Sequence, residues 1–171
     1  NRVYVGGQFT SLGGLPRRRL GQVEAGTGAV LPWNPQASER VFAVALAGNT
    51  VYAGGRFQSV GGQERRFIAA LDAVTGLATP WDPEANGAVH VLLVSGNTVY
   101  AGGAFTQVGA RGRHFLAALD AGSGLATAWN PDADDYVYAL ALGGRVLYVG
   151  GVFTTVGGQP RERLAAVETA K

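Results

Sequence analysis

Cysteine and methionine are absent from the chain, lysine occurs once among 14 basic residues, at Lys171, and histidine appears only at His90 and His114. Without cysteine there can be no disulfide, no thiolate metal site and no thiol nucleophile. Charge is sparse too: charged residues are 15% of 171 positions and the net charge is +2, which leaves no dense basic surface. The other basic residues are arginines spread along the chain with acidic residues nearby. Nucleic-acid binders concentrate Lys and Arg on one face, so no nucleic-acid partner is expected. The longest apolar runs, such as VFAVALAG from Val41, are far too short to span a bilayer, and membrane insertion is not expected. No segment has the charged start, apolar middle and small-residue cleavage site of a signal peptide, and the chain opens on Asn1 rather than Met. That opening reads as a processed or excised part of a longer polypeptide.

Glycine, at 27 residues, is abundant, and so is repetition. VYVGGQFTSLGG begins at Val3, VYAGGRFQSVGG at Val51, VYAGGAFTQVGA at Val99 and LYVGGVFTTVGG at Leu147, so each copy starts 48 residues after the one before. A fixed period of this length marks a propeller or array in which no unit folds alone. The chain is one repeat region over 1–171, with units 3–50, 51–98, 99–146 and a partial unit 147–171.

The local chemistry of a unit is that of short strands and tight turns. Val89 to Gly96 is an apolar run that ends in Gly-Asn and leads into Val99-Tyr100-Ala101, which predicts a hairpin; Gly48-Asn49 and Gly143-Gly144 are the matching turns. The next strand closes on a Gly pair in every copy, Gly54-Gly55 being one, which predicts a bulge or a close approach of neighbouring backbone. A loop with a second Gly pair leads to Arg17, Arg65, Arg113 or Arg161, then to a third strand, RFIAALDA in the second copy. Asp72 to Gly76 and Asp120 to Gly124 are turn chemistry, the Asp satisfying local backbone donors. A fourth strand is expected at Trp33, Trp81 and Trp129, stopping at Pro35, Pro83 and Pro131, which suits an outermost position.

Gly54-Gly55, Asp72, Thr75 and Trp81, with their equivalents, resemble the repeats of kelch-type propellers. A nearer likeness is to the tandem VYVGGxFTxVGGxxRxxLAALDxxTG repeats of large secreted bacterial proteins. The resemblance implies an all-β fold, a β-propeller of four-stranded blades with about 3.5 repeats present. It also implies an extracellular or cell-surface location. By pattern the chain holds roughly fourteen strands. It begins on the second strand of one unit and ends on the third of another, which predicts a segment of a larger propeller, or copies of the chain that associate as a homo-oligomer.

The arginine at one position throughout could form a ring that grips an anionic glycan or phosphate, and the tryptophans could stack on sugars. Recurrence in every copy favours a structural role for Arg17, Arg65, Arg113 and Arg161 and for Trp33, Trp81 and Trp129. Function is expected where the copies differ: at Arg18, Arg66, His114 and Glu162, one residue after the repeated Arg, at Glu84, and at the acidic run Asp132, Asp134 and Asp135. Three carboxylates so close could bind calcium. The run has neither the length nor the Gly of an established calcium loop, which favours a solvated acidic turn, and no other cofactor is expected. His90 sits in an apolar strand as a packed or edge residue, and no nucleophile elbow or phosphate loop is present. The chain is therefore expected to be a non-catalytic scaffold or adhesion module that binds protein or glycan. Two alternatives stand beside it: a subunit of a self-assembling surface structure, and the recognition part of a larger secreted carbohydrate-active enzyme.

Overall fold

In the computed structural model, which describes residues 1–169, the chain is all-β. The last two residues of the partial repeat, Lys171 among them, lie outside the described residues. The first unit pairs β1 (Arg2–Gly6) with β4 (Leu20–Glu24), and between them β2 (Ser11–Leu12) and β3 (Leu15–Pro16) form a small hairpin. The second unit is a three-stranded antiparallel sheet of β5 (Val41–Ala47), β6 (Thr50–Gly55) and β9 (Ile68–Asp72), with the hairpin β7 (Ser59–Val60) and β8 (Gln63–Glu64) inserted before its last strand. The third repeats this with β10 (Val89–Ser95), β11 (Thr98–Gly103), β12 (Gln107–Val108), β13 (Arg111–Gly112) and β14 (Leu116–Asp120). The fourth does so with β15 (Val137–Gly143), β16 (Val146–Gly151), β17 (Thr155–Val156), β18 (Gln159–Pro160) and β19 (Leu164–Glu168). Within RFIAALDA, Ile68–Asp72 is a strand, β9, despite the helix propensity of its Ala and Leu residues.

Two expectations are corrected. The Trp-bearing segment is not a fourth strand: it touches the third strand through a single bridge, Val23 to Val30, Leu71 to Ala78 and Leu119 to Ala126. The ladder stops there because the next carbonyl is taken by a side chain, Thr79 O by the Arg65 guanidinium at 2.7 Å and Thr127 O by that of Arg113. The loop at the second Gly pair, conversely, is a two-strand hairpin in all four units. The described residues therefore hold 19 strands rather than roughly fourteen.

Each Gly pair has a physical cause. A β-bulge on the inner strand at Val41/Ala43, Val89/Val91 and Val137/Ala139 brings one carbonyl of that strand against the second glycine. A Cβ on Gly55, Gly103 or Gly151 would lie 2.1 Å from the carbonyl oxygen of Arg40, Ala88 or Tyr136 respectively. The first glycine faces the next unit: a Cβ on Gly54 would stand 2.7 Å from a methyl of Val89.

The core lies between units rather than inside them. Tyr4, Leu20 and Trp33 of the first unit pack on Val51, Ala53, Phe57 and Leu71 of the second. Tyr52, Ile68 and Trp81 pack in the same way on Val99, Ala101, Phe105 and Leu119. Tyr100, Leu116 and Trp129 pack on Leu147, Val149 and Phe153. Alternation along each strand produces this, since successive residues of β6 or β11 point to opposite neighbours. Every unit thus has a forward face, carrying Tyr and Leu or Ile, and a rear face, carrying Val and Phe. The inner strands β5, β10 and β15 stand side by side in chain order.

Candidate functional site

The repeated polar residues turn inward to the scaffold. Arg65 donates from Nη1 to its neighbour's carbonyl, Glu64 O, at 2.8 Å and from Nη2 to Thr79 O at 2.7 Å, with Asp82 Oδ2 at 3.3 Å. Arg17 makes the same pair of bonds to Pro16 O and Leu31 O, Arg113 to Gly112 O and Thr127 O, and Arg161 donates to Pro160 O. Each of the first three arginines clamps the small hairpin to the Trp-bearing segment, using the donors that an anion would need. Burial lowers the pKa of Arg113, with Arg111 adding to it. The indole Nε1 of Trp33, Trp81 and Trp129 donates to Asp72 O, Asp120 O and Glu168 O at 3.0, 3.0 and 2.7 Å, each across a unit boundary. Beside them Tyr4 Oη donates to Ala73 O at 2.9 Å and Tyr52 Oη to Ala121 O at 3.3 Å. Asp72 Oδ1 accepts the amides of Val74 and Thr75 and the Thr75 hydroxyl, and these bonds, the Thr75 amide first, hold its pKa down.

Among the variable positions, the structure brings together some and separates others. Gln36, Glu84 and Asp132, each following a proline, share a left-handed backbone, with φ of 52, 49 and 52°. Asp132 Oδ1 meets His114 Nδ1 at 2.8 Å. Arg66, at the position equivalent to His114, forks onto Glu64 Oε1 at 3.1 and 2.8 Å, and with Asp82 and Glu84 it borders a shallow cavity of about 360 Å³. Arg18 and Glu162 are exposed at the same position of the first and fourth units. The acidic run does not converge. Asp132 faces His114, Asp134 accepts both amides and the hydroxyl of Thr154 and Thr155, and Asp135 accepts the Tyr136 amide at 2.7 Å. Among the described residues no group of three or more His, Asp or Glu side chains is placed to share a metal ion. Asp134 has a structural counterpart in every junction: Asn86 binds the Thr106 and Gln107 amides, and Ser38 those of Gln58 and Ser59. The Thr154 hydroxyl above all holds the Asp134 pKa down to about 2.

The bulges of the inner strands build a second cluster. Phe42, His90 and Tyr138 are the bulged residues of β5, β10 and β15, one period apart, so they project at one level from three adjacent strands. Phe42 and His90 have ring centroids 5.3 Å apart, and His90 stacks on Tyr138 at 4.9 Å with 24° between planes. Tyr136 closes the group, 6.2 Å from His90 and 6.3 Å from Tyr138. Phe42, Tyr136 and Tyr138 remain 43, 41 and 50% exposed. Burial lowers the His90 pKa, so the imidazole is neutral at pH 7 and stacks as an aromatic ring. His90 was expected as a packed or edge strand residue; it is a half-buried residue of β10, packed between Phe42 and Tyr138 at the centre of this row. Sequence offered a signal, since position 42/90/138 differs in every copy. The Gly pair pointed to a bulge or a close approach, but not to its place on the facing inner strand, where it turns an ordinary strand residue outward.

No protein-family model matches the chain, and no curated protein matches it. Its fold is similar to that of the computationally designed Ika4 protein. The match has a TM-score of 0.59 at 15% identity, covering 88% of this chain and 79% of that one. The designed Ika8 protein matches with a TM-score of 0.54 at 17% identity, over 88% of this chain and 43% of Ika8. At such identity the likeness concerns the fold alone.

Proposed function

We propose that the chain is a non-catalytic binding scaffold of the β-propeller type, its 48-residue units acting as blades, and that it works outside the cell or at its surface. The observation that carries the binding role is the aromatic row Phe42, His90, Tyr138 and Tyr136. The repeat provides the same bulge three times and fills it with a different ring each time, while the arginines constant between copies bond within their units and the tryptophans bond between them. Exposed aromatic patches of this kind mark interaction surfaces. The partner is a glycan or another protein, and the flat, hydroxyl-bearing rings favour the glycan, whose C–H faces stack on aromatic planes while its hydroxyls meet Tyr Oη. The pairs His114–Asp132 and Arg66–Glu64 supply polar contacts on the variable loops.

A glycan array and a pull-down tests this, with the Tyr136→Ala/Tyr138→Ala double variant as comparison. Binding should weaken about tenfold or more in the variant. Equal signal from both proteins, or none from either, sinks the reading.

A further inference from the structure

The two ends of the repeat array carry opposite halves of one interface. Inside the chain a forward face meets a rear face three times, and the buried residues are equivalent each time. On the forward side Tyr52 and Tyr100 are each 4% exposed, whereas their equivalent in the fourth unit, Tyr148, is 47% exposed. Leu20, Ile68 and Leu116 are fully buried, and their equivalent Leu164 is 66% exposed. On the rear side Val51, Val99 and Leu147 are fully buried, whereas Val3 of the first unit is 45% exposed. The tyrosine hydroxyl of each forward face seeks a carbonyl 69 residues on, Ala73 for Tyr4 and Ala121 for Tyr52. Ala25 holds that place on the rear face of the first unit.

We propose that these two faces bind one another between copies, so that the 171-residue chain associates head to tail, Tyr148 and Leu164 of one copy seated on Val3 and Val23 of the next. The occupant follows from the chain itself. The strands of the forward face are shaped for a rear face of this repeat, and a second copy presents the β1 and β4 part of one, with the same alternation of apolar residues; the Trp segment and the inner strand of the internal junctions have no counterpart there. The contact is heterologous, using different surfaces on the two partners, so it either closes into a ring or continues as a fibre. It is independent of the aromatic row and stands or falls separately from the binding function.

Sedimentation velocity over a wide concentration range tests it. The wild-type chain should exceed its 17.7 kDa monomer mass increasingly with concentration. Leu164→Arg and Val3→Arg each spoil one face and should weaken association about tenfold or more. Mixed, the two variants retain one good face each and should form a one-to-one complex that goes no further. Both positions are exposed, so far-UV circular dichroism should match wild type; Tyr148→Asp replaces Leu164→Arg if it does not. A wild type that stays monomeric overturns the proposal, and leaves the faces to further repeats of the same polypeptide. Variants without effect, or variants that fail to pair when mixed, overturn it as well.

Discussion

Asp134 shows how one side chain can be read two ways. As one of three neighbouring carboxylates it suggests a cation; in place, it caps the loop that starts at Thr154, where Asn86 and Ser38 cap the loops of the other junctions. Its pKa of about 2 in the folded chain lies below the ordinary Asp value, so acid protonates the unfolded chain first. The stabilisation is complete above pH of about 4 and is lost as pH falls from there toward 2. Thermal melts across that window should show Asp134→Asn losing less stability on acidification than wild type, since Asn accepts the same two amides and, as Asn86 does, donates to the Thr hydroxyl instead of accepting from it, without a titrating group. Asp134→Ala should be the less stable of the two at pH 7. Trp81 gives a second residue-scale outcome. It is 5% exposed, lies edge-on to Tyr52 at 5.1 Å and donates to Asp120 O. Trp81→Ala should cost about 3–5 kcal/mol in denaturant unfolding, and Trp81→Phe, which keeps an apolar ring but removes one of the two hydrogen bonds to Asp120 O and leaves the one from the Gly124 amide, about 1 kcal/mol beyond its smaller cavity.

At the scale of the element, the bulge and the Gly pair form one device. The inner strand kinks at Val41, its carbonyl at Arg40 moves against Gly55, and Phe42 is turned out. Gly55→Ala would press a methyl into that carbonyl, and the strand would have to straighten or separate. Urea denaturation should show a loss of about 3 kcal/mol, and the same change at Gly62, which has open space on every side but a φ of 78°, should cost about 1 kcal/mol. If the two cost the same, the close approach is not what holds the pair. The small hairpins belong to this scale too. Sequence presents them as loops because each strand has only two residues, too few for alternation to register.

Across the whole molecule, stability is a sum over three like junctions, as in other repeat arrays. Removing residues 51–98 would join Thr50 to Val99 and bring Tyr4, Leu20 and Trp33 onto Val99, Ala101 and Phe105, residues of the same kinds as those they now touch. The shortened chain should still fold, with a denaturant m-value lower by about a third because one junction of three is gone. A chain that fails to fold would mean the junctions are not interchangeable.

The sequence by itself determined the repeat, the strands that alternate and the turns that need glycine. These are local properties: φ preferences, period-2 patterning and Asx chemistry act within a few residues and recur every 48. It misjudged the Trp segment, because what ends that strand is a guanidinium 14 residues away in sequence. Tertiary structure alone decided that Phe42, His90 and Tyr138 form one row, since their adjacency depends on the packing of three strands from three units and on bulges that propensity does not encode. It also decided that the acidic residues Asp132, Asp134 and Asp135 point to separate partners. Sequence proximity places their backbones together, but Asp132 goes to His114 of its own unit, Asp134 to the Thr154 loop of the next unit and Asp135 to the adjacent Tyr136 amide.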